Sequence, residues 1–169
     1  MRKVGMLAWT LAVLCTVTTL VMGLKTAEAE GKSADHGMLT PAEIAWKDGP
    51  ASLPKGAKVA VLEGNPAEPG LFTIRLKFPD GYRIAPHWHP AVERVSVIGG
   101  VFQFGMGETF DQSKAKALPA GSFVFMAPKM AHYAWVEGET IVQLTGEGPW
   151  GITYLNPLDD PRQLKKSEK

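Results

Sequence analysis

Sulfur chemistry is nearly missing from this chain, since Cys15 is its one cysteine. That residue falls in an apolar N-terminal stretch, so loss of the stretch leaves no thiol at all. Disulfides, cysteine nucleophiles and thiolate metal sites are thereby excluded, and imidazole and carboxylate remain as the strong ligand types. An excess of charge of one sign is lacking too, with 18 Lys and Arg against 17 Asp and Glu. No basic block supports nucleic-acid binding; the short cluster Lys165-Lys166-Ser167-Glu168-Lys169 reads as a solvated tail. Helical periodicity is also absent over any useful length after residue 47.

What is present at the N-terminus has the form of an export signal. Arg2 and Lys3 precede an uncharged apolar run of 21 residues from Val4 to Leu24, and Ala27-x-Ala29 has the small-x-small form that a signal peptidase reads. Residues 1–29 are therefore expected to be a leader cleaved after Ala29, placing the protein in the periplasm or outside the cell. The alternative is an uncleaved membrane anchor, against which four threonines and Gly23 weigh. Leu14 before Cys15 does not suit a lipoprotein cleavage site. Loss of Arg2, Lys3, Lys25 and Glu28 turns 18 basic and 17 acidic residues into 15 and 16, a mature net charge of about −1. No membrane contact is expected after cleavage. The remaining residues, about 140, suffice for one domain with a real core.

Residues 30–57 read as an N-terminal arm. Within it, Thr40-Pro41-Ala42-Glu43 has a hydroxyl at a helix cap, proline at the first helical position and glutamate three after the cap, which predicts one short helical turn. Short apolar runs then follow at Lys58–Glu63, Leu71–Phe78, Ala91–Ile98, Val101–Phe104, Ser122–Met126, His132–Val136, Thr140–Thr145 and Ile152–Leu155. Turn residues separate them, including Pro79-Asp80-Gly81, Gly99-Gly100 and Pro119-Ala120-Gly121. Eight or nine short strands leave many edges unless they close, so residues 58–158 are expected to form an all-β sandwich or small barrel. Residues 159–169 read as a polar C-terminal tail.

Three groups able to hold a metal ion occupy seven residues, His87 to Glu93. His87, His89 and Glu93 share odd parity, so on an extended chain all three point one way and Trp88 the other. His132 lies 43 residues after His89, at the start of a later strand that antiparallel pairing brings beside the first three. Three imidazoles and a carboxylate suit one divalent ion such as Fe, Mn, Zn, Ni or Cu, with one or two positions left for water, dioxygen or substrate. The ordinary role of an isolated histidine is a surface or hydrogen-bonded core group; strand context, the matching glutamate and the distant third histidine favour the metal. A structural zinc site is the lesser alternative, because such sites are usually cysteine-rich.

The spacing Gly81-x5-His87-x-His89-x3-Glu93-x6-Gly100 resembles the first motif of the cupin superfamily at every marked position. The second cupin motif is matched at Gly121 and His132, while its proline falls one residue late at Pro128, Lys129 stands where glycine is usual and Val136 replaces the closing asparagine. The resemblance implies a cupin-type double-stranded β-helix, a jelly-roll barrel with a short N-terminal arm, whose one divalent metal is bound by His87, His89, Glu93 and His132. Stretches at 69–86 and 153–162 are also similar to small single-domain bacterial cupins with export signals.

Around that site the parity of later strands groups Phe102 with Phe104 and Phe123 with Phe125. A ring of Phe, Met and Trp135 is expected to wall an apolar pocket for a small organic ligand, or else to be plain barrel filling. Glu108, Asp111, Glu137 and Glu139 fall in turns and read as solvated. Tyr82, Arg83, Gln103, Tyr133 and Gln143 are candidates to reach the pocket or orient the histidines, although Tyr133 faces away from His132 on a regular strand. Trp46, Trp88 and Trp150 suit a homodimer interface, with cover by the chain's own arm as the alternative for Trp88. The function expected is an exported mononuclear metal cupin acting as a dioxygenase-type oxidoreductase on a small organic substrate. The alternatives are a non-catalytic module that binds a metal ion or metal-bound small molecule, and a metal-free sugar-binding or isomerase cupin.

Overall fold

Alternation decides which face each strand buries. In β3 (Gly70–Phe78) the buried residues are Phe72, Ile74, Leu76 and Phe78, while Thr73, Arg75 and Lys77 between them face outward. β10 (Thr140–Gly148) repeats the pattern with Val142 and Leu144. Each such side chain, fully buried, contributes about 1.5–3 kcal/mol of transfer free energy, and that drives the two strands together along nine paired residues, from Thr140↔Phe78 to Gly148↔Gly70. The computed structural model describes residues 36–164. The leader read over residues 1–29 and the basic cluster at 165–169 lie outside the described residues.

The first sheet adds β1 (Lys47–Asp48), β2 (Lys58–Glu63), β5 (Glu93–Gly99) and β8 (Phe123–Met126) in the order β1-β2-β3-β10-β5-β8. The second contains β4 (Arg83–Trp88), β6 (Val101–Met106), β7 (Lys116–Pro119), β9 (His132–Val136) and β11 (Thr153–Tyr154), ordered β11-β4-β9-β6-β7. Every pairing is antiparallel. A single core cluster joins the inward residues of both sheets, among them Phe72, Phe78, Val95, Phe102, Phe104 and Val136. This is the jelly roll expected from the sequence. Among the described residues no helix is long and apolar enough to cross a membrane.

Several expectations need correction. β4 and β7 each formed where no strand was read, and the strand read from Ala91 begins at Glu93. Phe123 and Phe125 turn outward and are 58% and 67% exposed, because β8 is an edge strand whose Val124 and Met126 take the inward places. Trp135 lies on the outer side with Phe110, ring centroids 5.4 Å apart, and is no part of a chamber wall.

The arm contributes its short turn as a 3-10 helix, Pro41–Glu43, in which the Glu43 carboxylate accepts from the N–H and hydroxyl of Thr40 at 2.8 and 2.7 Å. Trp46 lies beneath the Lys77 ammonium at 4.8 Å, so the arm covers part of its own sheet. The following loop is tied down by two buried tyrosines. Tyr82 donates to the Pro54 carbonyl at 2.6 Å and Tyr154 to that of Ser52 at 2.8 Å. Burial raises both phenols far above their ordinary range, so each remains a neutral donor. At the other end, the stretch read as a polar tail begins with structure: buried Asp160 accepts from Arg162 at 2.8 Å, and a short helix spans Pro161–Leu164.

Candidate metal centre

Local irregularity, rather than a regular strand, aims the histidines. Ile84 of β4 faces the core, so strict alternation would point His87 outward. Pro86 lacks an N–H for the ladder, and the pairing of β4 with β9 shifts between Ile84 and His87. The resulting bulge turns His87 inward, directly beside His132, its cross-strand partner at the start of β9. His89 follows just past the end of β4. Pro90 and Ala91 then bend the chain across to the facing sheet, where Glu93 opens β5. The shared parity of His87, His89 and Glu93 therefore gave the wrong mechanism, because Glu93 reaches the histidines from the opposite sheet.

All four side chains are buried. Ring nitrogens of His87, His89 and His132 lie within 4.8 Å of one another, a group able to hold a metal ion. Glu93 adds its two oxygens, Oε1 at 3.6 Å from His89 Nε2 and Oε2 at 3.2 Å from His132 Nε2. No side chain hydrogen-bonds the Nδ1 atoms of these rings; backbone carbonyls do. The Nδ1 atoms of His87, His89 and His132 lie 2.7, 2.7 and 3.0 Å from the carbonyl oxygens of Ala85, Gly151 and Met130. A carbonyl only accepts, so each Nδ1 carries the proton and each Nε2 presents a lone pair to the centre.

That tautomer exposes a conflict among the four donors. Glu93 Oε2 is buried with no hydrogen-bond partner, and the group it faces at 3.2 Å is an imidazole lone pair. An uncompensated buried carboxylate is expensive. A cation between the donors removes the conflict; a proton serves one pair, whereas a metal ion serves all four. Burial also pushes the His87 imidazole well below its ordinary pKa, helped by neighbouring His132 and His89. His89 is lowered by burial ahead of the opposing pull of Glu93. Both shifts keep the rings neutral, the form that ligates metals.

Over this centre opens a chamber of about 420 Å³ lined by Ile74, Leu76, Ile84, Leu144, Trp150 and Ile152 together with the loop residues Pro50, Ser52 and Leu53. Trp150 stacks on the His89 ring at 4.4 Å and meets Phe72 edge-on at 5.4 Å. Sequence reasoning grouped Trp150 with interface residues; the signal for its real place was Gly151 beside it, which needs three-dimensional contact with His89 to be seen. Phe104 stacks on His132 from the core side at 5.4 Å. The other candidates stay out of the chamber: Arg83 lies over Phe110 at 3.4 Å, Gln143 accepts from Arg75, and Tyr133 donates to the Asp111 carbonyl on the outer side. His36 is exposed.

Residues 34–151 match the ChrR cupin-like domain family. No curated protein matches the chain. Among solved structures, an RmlC-like cupin from Shewanella frigidimarina is 20% identical with a TM-score of 0.52, over 66% of this chain and 90% of that one. The polyketide cyclase RemF from Streptomyces resistomycificus is 12% identical with a TM-score of 0.61, over 78% and 93%. A candidate acetylacetone dioxygenase from Methylibium petroleiphilum is 18% identical with a TM-score of 0.57, over 75% and 85%. At these identities the likeness is one of fold.

Proposed function

Because the chain belongs to the ChrR cupin-like domain family and folds as a jelly roll, we propose that His87, His89, Glu93 and His132 hold one divalent first-row metal ion and that the protein is an oxidoreductase acting on a small organic molecule. The orphaned Glu93 Oε2, facing a lone pair inside the barrel, is the observation that carries this reading. Such an ion supplies Lewis acidity and, where redox-active, the electron transfer that dioxygen chemistry requires. The chain's own residues do the rest. Four donors leave room for further ligands on the ion, the carbonyls of Ala85, Gly151 and Met130 fix the ring orientations, and the apolar chamber limits water at the centre. Export through the leader at residues 1–29 belongs to the same proposal, and the purified mature protein then begins at Glu30 on N-terminal sequencing.

Loading the protein with Fe, Mn, Ni, Cu or Zn under anaerobic conditions, followed by oxygen uptake over neutral β-diketones, flavonols and thiols, tests the reaction class. Uptake that depends on both metal and substrate and is lost in His89→Ala supports it. Uptake equal in His89→Ala sinks it. One observation favours a second reading, a module that binds without turnover: among the described chamber-lining residues, no acid or base beyond the four donors faces the interior. Stoichiometric ligand binding with no product by mass spectrometry would select that reading.

A further inference from the structure

The metal-centre reading leaves the ligand's identity open, and this inference, which rests on it, names the class. The chamber over His87, His89 and Glu93 is strikingly poor in polar side chains for its size. Its described lining residues include no lysine, arginine, asparagine, glutamine, threonine or tyrosine. Apart from the proposed metal ligands, only Asp48 and Ser52 bring polar side chains, both from the loop side. The Asp48 side chain is 90% exposed and is engaged by Lys58 at 2.6 Å, which puts its charge at the rim. Away from the centre a molecule seated inside therefore meets mostly hydrocarbon, with Ser52 and the Trp150 indole as the few side chains there that carry a polar group.

The consequence is a selection on charge. A carboxylate, phosphate or ammonium carried away from the metal would be desolvated with no charged partner, and most hydroxyls of a sugar would give up water without a replacement. The centre can satisfy one polar head. We propose that this site takes a small organic molecule with one metal-directed polar head and an uncharged, apolar body, and that it rejects sugars, sugar acids and amino acids. The volume of 420 Å³ lies within the range of ordinary small-molecule sites, roughly 300–1,000 Å³. Val61 lines the chamber from β2 and is 53% exposed, so it stands at the chamber's mouth.

The test uses the full chain stripped of metal by a chelator, so that only the chamber is probed. The probes are 4-methylacetophenone and 4-acetylbenzoate, which share the acetyl head and differ in a methyl or carboxylate on a body of one ring. Isothermal titration calorimetry should show the neutral probe binding at least about tenfold more tightly. Val61→Arg should reverse the preference by giving the carboxylate a partner, and its exposed position lets the barrel fold around the change. Equal affinities or tighter binding of the benzoate by the unaltered chain would overturn the proposal, as would no binding of either probe to the zinc-loaded chain up to its solubility limit. Because the affinity comparison is made without metal, its outcome leaves the metal-centre reading untouched; that reading falls instead if the donors hold no ion.

Discussion

Replacing Lys129 with glycine should stabilise the protein. Lys129 is the one described residue other than glycine with a positive φ, 63°, and it stands where the cupin motif usually has glycine. The left-handed conformation costs an L-residue about 1–2 kcal/mol through contact of its Cβ with the backbone. Glycine removes that cost and returns about 0.5–1 kcal/mol as extra freedom of the unfolded chain. The net gain is about 0.5–1 kcal/mol, or roughly 2–5 °C in Tm for a domain of this size. The native backbone has reason to keep the strained shape, because the Lys129 N–H donates to the His89 carbonyl at 2.8 Å and the turn leads directly to His132. The side chain is exposed, so Lys129→Ala, which retains a Cβ, should change stability little. Urea melts of the three proteins measure both differences. A gain in the alanine variant equal to that in the glycine variant, or a loss in the glycine variant, would refute the backbone explanation.

Stability should also fall in mild acid. His87 and His89 are held below the ordinary histidine value of 6.5 in the folded state, so below that pH the unfolded chain binds more protons than the folded one. Their contribution is complete above about pH 6.5 and is lost as pH drops toward the folded values; a metal-free urea midpoint that does not decline between about pH 7 and pH 5 would contradict this. Gly105→Ala should cost about 1–3 kcal/mol, since a Cβ there collides with the outer edge and hydroxyl of the buried Tyr133 ring, and a thermal melt within a degree of the parent would show that the ring can move aside. Trp150→Ala removes the indole stacked on His89 and should weaken metal binding about tenfold or more, while Trp150→Phe restores most of it; equal affinities in a competition titration against a chelator would remove Trp150 from the orienting role.

Short apolar runs bounded by turn residues were legible: Lys58–Glu63 and His132–Val136 formed with the bounds read from the sequence, and Leu71–Phe78, whose alternation buries one face, gained only Gly70. β4 was not, because Pro86 argues against a strand and its bulge is a tertiary adjustment. The same bulge explains why parity brought His87 and His89 to one place and gave the wrong path for Glu93. Phe123 and Phe125 could not be sorted from Val124 and Met126 by pattern, since both pairs are apolar and only the pairing of Glu93 with Met126 fixes the register. Most of the groups orienting the site were invisible for a simpler reason. Carbonyls of Ala85, Gly151 and Met130 carry no signature in the side-chain sequence, and Gly151 comes from 62 residues beyond the histidine it holds.

The most direct measurement for the metal centre is elemental analysis of the protein isolated from its native compartment, set beside His87→Ala, His89→Ala, Glu93→Ala and His132→Ala variants shown by circular dichroism to retain the fold. The geometry predicts one first-row divalent ion per chain, with occupancy falling sharply in all four variants. A folded, unaltered protein that carries no such ion and takes none up on loading, or one whose metal content is indifferent to these four substitutions, would contradict it.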